Sequence, residues 1–361
     1  MRVLITGGGT GGHTSPAVAV IQELRRRVPN VELMWAGCRG AVEERVSAMQ
    51  QVPFRSVPSE GWPRRNSLRR VWVALKLMAG VVRALGIMVF FRPTMVVGVG
   101  GYVSLPVGLA AQLLRVPTFL HEQNKRLGMT NRILARRASR LFLSYENTLG
   151  TYPKEKAVVV GNPVRADFLT PPDRSEACRR FDLDPDRPVV LVSGGSQGAR
   201  TLNQAMKTVV EGLGSGDPQF IWMTGKYEAE EARDVASGRT AQVRVFPFIE
   251  DMAGACAAAD LIVSRAGASS TAELAVLGKP SILVPFPFAT DNHQEKNARA
   301  FEESGASIVL TDAECTGERL TGLFKELFSR PERLAAMGHA AGALGKPDAA
   351  VQLVEVILKA I

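Results

Sequence analysis

Short apolar runs alternate with longer amphipathic stretches along the first part of the chain. The runs RVLIT, VELMWAG, TMVVGVG and PTFLHEQ have the length and the β-branched content of buried strands. The spacing of apolar residues predicts a helix from about residue 13 to residue 27, before the second of these runs. Alternation of buried strands with helices is typical of a parallel α/β sheet.

The same alternation starts again after residue 167. The later runs are PVVLVSGG, FIWMTG, VRVFPFI, DLIVSRAG, PSILVPFP and SIVL. Because 361 residues can bury two cores, we predict two doubly wound, Rossmann-like α/β domains facing a cleft. We place an N-terminal domain at 1–162 and a C-terminal domain at 163–340, and expect a helix at 341–361 that packs back on the N-terminal domain.

Composition excludes several classes of protein. Hydrophobic residues make up 46% and charged residues 22%, which argues against both disorder and a polytopic membrane protein. The cysteines, Cys38, Cys178, Cys256 and Cys315, lie far apart, so we expect neither a zinc site nor a disulfide framework. The start MRVLITGGG lacks the features of a signal peptide. We therefore expect the chain to work in the reducing cytoplasm.

Charge is distributed unevenly along the chain. Residues 1–165 contain 24 Lys or Arg against 8 Asp or Glu, whereas residues 166–361 contain 20 against 27. Between residues 61 and 140, fourteen basic residues accompany a single acidic one, Glu122. A localised basic surface predicts a negatively charged partner, and nucleic acid, an anionic membrane and a phosphorylated substrate all fit.

One apolar stretch, at residues 71–91, has the length of a membrane span. Lys76 and Arg83 interrupt it, and central charges are costly in a spanning helix. We therefore favour a helix that lies partly in its domain and contacts an anionic lipid surface, with a plain core helix as the alternative. The expected membrane contacts are Val71, Trp72, Leu75, Val81 and Ile87.

Two glycine-rich loops, at residues 7–13 and 193–200, each follow a strand and open a helix. Backbone N–H groups at such a helix start bind anions, so we expect at least one loop to face a phosphate. The first loop also fits the GxGxxG pattern of dinucleotide-binding proteins. That function needs an acidic residue at the end of the second strand, and residues 37–39 are Gly, Cys and Arg. We therefore do not expect a dinucleotide cofactor.

Two further loops have both a ligand-binding and a capping interpretation. In SRAGASSTAE, Glu273 could accept hydrogen bonds from ribose hydroxyls, or it could close a capping box with Ser270 as N-cap. In PFPFATDNHQEKN, amide and carboxyl groups suit sugar hydroxyls, but Asp291 or Asn292 could equally cap a helix. Spacing alone leaves both alternatives open.

Histidines cluster at predicted strand ends, where His13, His121 and His293 lie. Their spacing is not that of a zinc site, and His13, beside the first glycine loop, is the candidate general base. The motif DLDPD at residues 182–186 resembles a metal-binding DxD pattern. It precedes a strand, contains Pro185 and has arginines nearby, which is typical of a solvated turn, so we expect no metal site.

Seven motifs, in order GGGTGGH, VGVGGYVSLP, HEQN, GNPVR, SGGSQGAR, SRAGASSTAEL and PFPFATDNHQEKNA, together resemble the MurG family of peptidoglycan glycosyltransferases over nearly the whole chain. The resemblance implies a GT-B fold. It implies inverting transfer of N-acetylglucosamine (GlcNAc) from UDP-GlcNAc to the 4-hydroxyl of the N-acetylmuramoyl sugar on undecaprenyl-diphosphate lipid I, giving lipid II, with no cofactor. The implied enzyme is peripheral, at the cytoplasmic face of the inner membrane. Its implied partners are both substrates, the anionic membrane surface and cell-wall synthesis or division proteins, not nucleic acid.

The resemblance also implies roles for individual residues. His13 matches the family's proposed base, Glu273 would hold the ribose, and Ile249 would contact uracil through its backbone. The residues implied to bind UDP-GlcNAc are Thr10, Gly11, Gly12, Asn124, Arg165, Ser196, Ile249, Ala268, Ser269, Ser270, Thr271, Ala272, Glu273 and Gln294.

Two alternatives remain, one a different enzyme and the other a binding protein. A UDP-GlcNAc 2-epimerase of the same fold would need acid–base carboxylates and no lipid-facing helix. A non-catalytic protein could bind a nucleotide sugar or nucleic acid, but aromatic residues are only 6% of the chain and no nucleic-acid reader motif is present.

Overall fold

The structure is a computed structural model that describes residues 1–9, 11–63, 67–195, 198–238, 243–289 and 292–360. The chain divides into two compact units. The N-terminal unit comprises Met1–Arg165 together with Lys346–Ile361, and the C-terminal unit comprises Ala166–Gly345.

The described elements alternate between strands and helices. The strands are β1 (Arg2–Thr6), β2 (Glu32–Gly37), β3 (Phe54–Ser56), β4 (Met95–Gly98), β5 (Thr118–Glu122), β6 (Arg140–Leu143), β7 (Ala157–Val159), β8 (Val189–Ser193), β9 (Gln219–Met223), β10 (Val243–Phe246), β11 (Leu261–Ser264), β12 (Ser281–Leu283) and β13 (Ser307–Val309). The helices are α1 (Gly11–Arg27), α2 (Val42–Met49), α3 (Ser67–Phe91), α4 (Ser104–Leu113), α5 (Met129–Leu134), α6 (Ala166–Leu169), α7 (Arg174–Arg180), α8 (Arg200–Glu211), α9 (Ala229–Ala236), α10 (Met252–Ala258), α11 (Ala268–Leu277), α12 (His293–Glu303), α13 (Gly317–Phe328), α14 (Pro331–Ala343) and α15 (Ala349–Lys359).

The N-terminal unit is built on a parallel sheet with strand order β3-β2-β1-β4-β5-β6-β7. Successive residues of β1 point to opposite faces, as they must in a strand. Val3 and Ile5 enter a core cluster on the side of α1 and α15, whereas Leu4 enters the cluster on the side of α3 and α4. Leu353 and Ile357 of α15 are buried in the first cluster, so the last helix of the chain completes the core of the first unit.

The C-terminal unit repeats the design with a parallel sheet of order β10-β9-β8-β11-β12-β13. Its main core cluster joins Val190 of β8 and Trp222 of β9 to Leu202 of α8 and Phe324 of α13. Strand order reverses direction beside β1 in one unit and beside β8 in the other, which is where ligands bind in open α/β sheets. The predicted class, two doubly wound parallel α/β sheets, is confirmed.

Helix α3 corrects one sequence expectation. Ala84, Ile87, Met88 and Phe91 recur at helical spacing and are buried in the core of the N-terminal unit. Ile87 is only 4% exposed, so its predicted membrane contact is wrong, and Val81 is half-buried against the same cluster. The other three predicted contacts lie on the open face; Val71 and Trp72 are each 60% exposed and Leu75 is 50% exposed.

Within the described residues, one helix, Leu68–Phe91, is long and apolar enough to cross a membrane by length and composition. The burial of its inward face shows that it is also a structural helix of the N-terminal unit.

Candidate functional site

The first glycine loop packs against the loop after β4. A Cβ at Gly101 would lie 2.4 Å from the carbonyl oxygen of Gly8, so the two backbones meet directly and Gly101 adopts a φ of 84°. A Cβ at Gly100 would lie 2.8 Å from Cδ2 and 3.2 Å from Nε2 of His13. The half-buried ring of His13, in the first turn of α1, therefore lies against glycine backbone at the carboxyl end of the sheet.

A buried carboxyl group, that of Glu43 on α2, holds the first glycine loop. Its Oε2 accepts a hydrogen bond from the Gly9 N–H at 2.9 Å, and its Oε1 accepts one from the Cys38 N–H at 2.9 Å. Glu43 is fully buried, and its carboxyl carbon lies 2.1 Å from where a Cβ of Gly8 would be. The Gly9 N–H is thus bound within the protein. Sequence reasoning missed Glu43 because it follows no motif.

The HEQN segment at the end of β5 contains a neutral histidine. His121 is fully buried, and burial, together with repulsion from His13, lowers its pKa to about 4. Its Nδ1 lies 3.0 Å from Nε2 of Gln123, which can only donate, so Nε2 carries the proton and donates to the Gly161 carbonyl oxygen at 3.0 Å. Because both ring nitrogens are bound inside the protein, His121 orders the chain and is not a candidate base.

Glu122, the next residue, organises the loop that follows β5. Its carboxyl group accepts from the Gly128 N–H at 2.8 Å, from Asn131 Nδ2 at 2.9 Å, and from Asn124 N and Nδ2 at 3.1 and 3.2 Å. Burial is the largest influence on its pKa and raises it. The predicted sugar contact Asn124 is therefore held by Glu122, while the predicted Arg165 lies half-buried at the end of the first unit's main segment.

The second glycine loop, after β8, is also shaped by close backbone contacts. A Cβ at Gly194 would lie 2.3 Å from the Ala199 nitrogen, and one at Gly198, which has a φ of 76°, would lie 2.3 Å from the Thr224 carbonyl oxygen. Gly198 N–H donates to the Gly195 carbonyl oxygen at 2.9 Å.

Two of the predicted loop residues, Ser196 and Thr10, lie outside the described residues. Gly11 and Gly12 of the first loop open α1.

The loop after β11 enters α11 at Ala268, with Gly267 in the N-cap position. Ser270 is therefore the third residue of the helix, and the capping box that the spacing allowed is wrong. Thr271 is buried, and its hydroxyl donates to the carbonyl oxygens of Gly267 and Ala268 at 3.2 Å each. Glu273 lies one turn further on and is half-buried.

Burial limits how the predicted residues of α11 can bind a ligand. Ala268, Ser269 and Thr271 are buried, whereas Ser270, Ala272 and Glu273 are half-buried. The start of α11 carries the positive end of the helix dipole, and the Glu273 side chain lies one turn further on. Ser270 is not the N-cap, because the N-cap is the residue at which the loop ends, and spacing alone does not determine that residue.

The loop after β12 is tied to α12. The Phe286 N–H donates to Oε1 of Gln294 at 2.9 Å, which leaves the NH2 group of this side chain to donate elsewhere. Asn292 adopts a φ of 55° and donates through Nδ2 to Glu295, and within residues 292–360 no side-chain cap from Asn292 to α12 is present. Asp291 lies outside the described residues.

Ile249 is buried, and its N–H points to Sδ of Met223 at 3.4 Å.

The DLDPD motif forms a turn before β8, away from the loops at the carboxyl ends of the strands. Asp182 pairs with Arg244, and Oδ1 of Asp184 accepts from the Asp186 N–H at 2.9 Å. Among the described residues, no group of three or more His, Cys, Asp or Glu side chains is placed to hold a metal ion.

A cavity of about 980 Å³ lies in the C-terminal unit at the ends where β8, β11 and β12 begin. Its cationic lining is already bound: Arg174 pairs with Asp260, and Lys279 donates to the carbonyl oxygens of Ala257 and Ala259 at 3.1 and 2.8 Å. Burial lowers the pKa of Lys279. The cavity lies at the amino ends of the strands, whereas the glycine and serine loops lie at their carboxyl ends, so it is separate from the candidate site.

Small-residue loops at the carboxyl ends of two parallel sheets, with a histidine beside one of them, are typical of α/β proteins that bind ligands at this end of the sheet. The family model described as glycosyltransferase family 28 N-terminal domain matches residues 3–143, and the glycosyltransferase family 28 C-terminal domain matches residues 189–353. The chain belongs to glycosyltransferase family 28. It is a hexosyltransferase.

Curated relatives agree over the full length. One relative, from Desulfitobacterium hafniense, is named UDP-N-acetylglucosamine–N-acetylmuramyl-(pentapeptide) pyrophosphoryl-undecaprenol N-acetylglucosamine transferase. It is 41% identical to this chain, and the alignment covers 99% of each chain. The enzyme of the same name from Halalkalibacterium halodurans is 38% identical, with 98% of both chains covered.

Solved structures separate the two enzymatic interpretations. The crystal structure of Acinetobacter baumannii MurG matches with a TM-score of 0.76 and 31% identity over 99% of both chains, which supports the GT-B fold. UDP-GlcNAc 2-epimerase from Neisseria meningitidis matches with a TM-score of 0.67 but only 16% identity, over 99% of this chain and 100% of that one. The epimerase likeness therefore shows the fold alone, and the transferase interpretation is favoured.

Proposed function

We propose that the chain transfers GlcNAc from UDP-GlcNAc to the 4-hydroxyl of the N-acetylmuramoyl sugar on undecaprenyl-diphosphate lipid I, forming lipid II for peptidoglycan. The observation that carries this proposal is 41% identity over 99% of the chain to a transferase named for this reaction. That alignment includes both units, so it covers the residues for donor and acceptor alike. Roles in cell-wall biogenesis, cell shape and division follow from the need for lipid II.

We assign UDP-GlcNAc to the loops at the carboxyl ends of the C-terminal sheet. The N-terminus of α11 offers backbone donors and a helix dipole that favours a diphosphate, without a cation in the site. Glu273 accepts from the ribose hydroxyls. Gln294 donates its free NH2 group to the sugar, since Phe286 already occupies its oxygen. The buried Ile249 presents its carbonyl group to uracil, because its N–H faces the Met223 sulfur.

We assign the general base to His13. Transfer from an α-linked donor to a β-linked product inverts the anomeric centre in a single displacement, which needs one base and no covalent nucleophile. His13 removes the proton from the attacking hydroxyl, while the donors of the C-terminal unit stabilise the departing UDP. His121, the other histidine of the N-terminal unit, is a poor alternative, because both of its ring nitrogens are hydrogen-bonded within the protein.

We place the enzyme at the cytoplasmic face of the inner membrane, held there by the open face of α3. Leu68, Trp72, Val82 and Phe90 are 60 to 82% exposed, which is unusual for large apolar side chains of one helix. The N-terminal unit around this helix has a large excess of basic residues, and anionic lipid attracts such a surface. Peripheral contact fits better than spanning because the other face of α3 is part of the core.

The transfer assay tests the reaction itself. Purified protein is incubated with UDP-GlcNAc and a short-chain lipid I analogue, once with EDTA and once with Mg²⁺. Disaccharide product at similar rates in both supports a metal-independent inverting transferase. Absence of product in both, while UDP-GlcNAc still binds, contradicts the proposed reaction.

Vesicle sedimentation tests the membrane surface. Trp72→Glu combined with Leu75→Glu is expected to weaken binding to anionic vesicles while sparing transfer to a detergent-soluble acceptor. Tyr227→Glu is the matched control, since Tyr227 is 86% exposed in the C-terminal unit. Equal sedimentation of the double variant and the control contradicts the assignment of α3.

A further inference from the structure

One carboxylate joins several loops of the C-terminal unit. Asp312 follows β13, and its Oδ2 accepts a hydrogen bond from Oγ1 of Thr201 at 2.7 Å. Its Oδ1 forms an ion pair with the guanidinium of Arg265. Thr201 lies in the first turn of α8, directly after the second glycine loop, and Arg265 lies in the loop after β11. Asp312 itself is outside every ligand-binding motif found in the sequence.

Arg265 extends this connection to a third loop. Its Nη1 donates to the carbonyl oxygens of Val284 and Pro285 at 3.1 and 3.3 Å, and its guanidinium lies 5.6 Å from the centre of the Phe286 ring. The Phe286 N–H in turn binds Gln294. The Asp312–Arg265 ion pair therefore contacts the start of α8, which the second glycine loop opens, and the loops after β11 and β12, all at the end of the sheet where the donor is assigned.

The environment favours a strong ion pair. The Arg265 side chain is 12% exposed and the Asp312 side chain 28%, so solvent screens them less than a surface pair. The nearby Cys315 thiol does not compete as the anion, because burial raises its pKa to about 11. Removing Asp312 would leave a nearly buried cation that, among the described residues, contacts the carbonyl oxygens of Val284 and Pro285 and the Phe286 ring.

We propose that Asp312 is a positioning residue for the donor, acting through Arg265 and Thr201 to hold the loops after β8, β11 and β12 in their binding conformation. The inference rests on the proposed placement of UDP-GlcNAc on the C-terminal unit. The Thr201 hydroxyl makes a positioning role testable, because it is the group that joins Asp312 to the helix that the second glycine loop opens.

Titration of UDP into purified variants tests the proposal. Thr201→Val removes the hydroxyl at nearly constant shape and Asp312→Asn removes the charge; each is expected to raise the Kd for UDP about three- to tenfold. Thr201→Ser keeps a hydroxyl and is expected to remain close to wild type. In the transfer assay, KM for UDP-GlcNAc should rise more than kcat falls, since the loops are misplaced but the base is untouched.

Asp260→Asn is the matched control. The Arg174–Asp260 pair belongs to the same unit and has side-chain exposures of 35% and 32%, but it lies at the ends where the strands begin. Its loss should lower the Tm and leave the Kd for UDP unchanged. If Asp312→Asn and Thr201→Val behave like this control, Asp312 is merely structural and the proposal is wrong.

Glu273→Ala separates this inference from the donor assignment on which it rests. Weakened UDP binding in Glu273→Ala, with unchanged binding in Thr201→Val and Asp312→Asn, overturns only the role of Asp312. Unchanged binding in Glu273→Ala overturns the donor placement itself.

Discussion

The two glycine-rich loops have the same local design but different surroundings. Both follow a parallel strand and open a helix, and in both a glycine allows backbone to touch backbone. In the first, the Gly9 N–H is bound by the buried Glu43. In the second, the described bonds are internal, from the Gly195 N–H to Ser193 Oγ at 3.3 Å and from the Gly198 N–H to the Gly195 carbonyl oxygen. A glycine motif thus predicts a conformation, whereas its neighbours decide what its N–H groups bind.

This difference suggests a division of labour between the units. The Gly9 N–H of the first loop is bound by the Glu43 carboxyl group, so this donor is not available to a phosphate, and His13 follows the loop in the first turn of α1. The second loop and the start of α11 lie in a unit that is acidic overall, so diphosphate binding there would depend on backbone donors and helix dipoles instead of net charge. The predictions below test this division.

The largest expected effect concerns the base beside the first loop. His13→Ala should lower turnover by about 10²- to 10⁴-fold while leaving the Kd for UDP close to wild type, because a general base acts in the transition state. Steady-state kinetics with a UDP titration measures both. His339→Ala, an exposed histidine on α14, is the control and should be neutral. Equal turnover of the two variants would remove His13 from the mechanism.

A second prediction concerns the other histidine of the N-terminal unit. The pKa of His121 is lowered to about 4 in the folded protein, from 6.5. The unfolded chain therefore takes up a proton first as the pH falls, so this contribution to stability is complete above about pH 6.5 and is lost between pH 6.5 and 4. The loss is on the order of 3 kcal/mol.

Denaturant unfolding between pH 7 and pH 4 measures this effect as the difference between wild type and His121→Gln. The difference cancels contributions that both proteins share, including that of Glu122, whose raised pKa acts in the opposite direction. Parallel pH profiles for the two proteins would show that His121 titrates normally.

A third prediction compares glycines of the two loops. Gly198→Ala should cost about 2 kcal/mol and weaken UDP binding, because its Cβ would lie 2.3 Å from a backbone oxygen. Gly9→Ala should cost about 1 kcal/mol, since its φ of 85° is strained for alanine but no atom of the described residues lies within 4 Å of its Cβ. Thermal unfolding and UDP titration measure both. A larger UDP effect from Gly9 than from Gly198 would reverse the proposed division.

The smallest expected effect comes from the carboxyl group behind the first loop. Glu43→Gln replaces one acceptor with a donor, and should cost about 1 kcal/mol of stability and lower kcat without changing UDP affinity. Glu44→Gln is the neighbouring control, because the Glu44 carboxyl group accepts a hydrogen bond from the Gly40 N–H at 2.6 Å, outside the first glycine loop. An effect of Glu43→Gln confined to UDP affinity would place the donor on the first loop.

Patterns of contiguous residues predicted the strands and the loops that follow them. Alternating apolar runs predicted both parallel sheets, and the glycine loops were expected at strand ends, where the structure has them. Helix α3 shows where this stops. Its sequence is apolar on nearly every side, so periodicity could not distinguish the face that buries Ile87 from the face that exposes Trp72.

The sequence by itself determined the fold class, the order of the motifs and the family, because these depend on the period and composition of contiguous residues. Only the tertiary structure decided which groups face one another. The contact of Glu43 with Gly9, the contact of Asp312 with Thr201 and the neutral state of His121 depend on residues distant along the chain. Such contacts set burial, hydrogen bonding and pKa, and no local pattern encodes them.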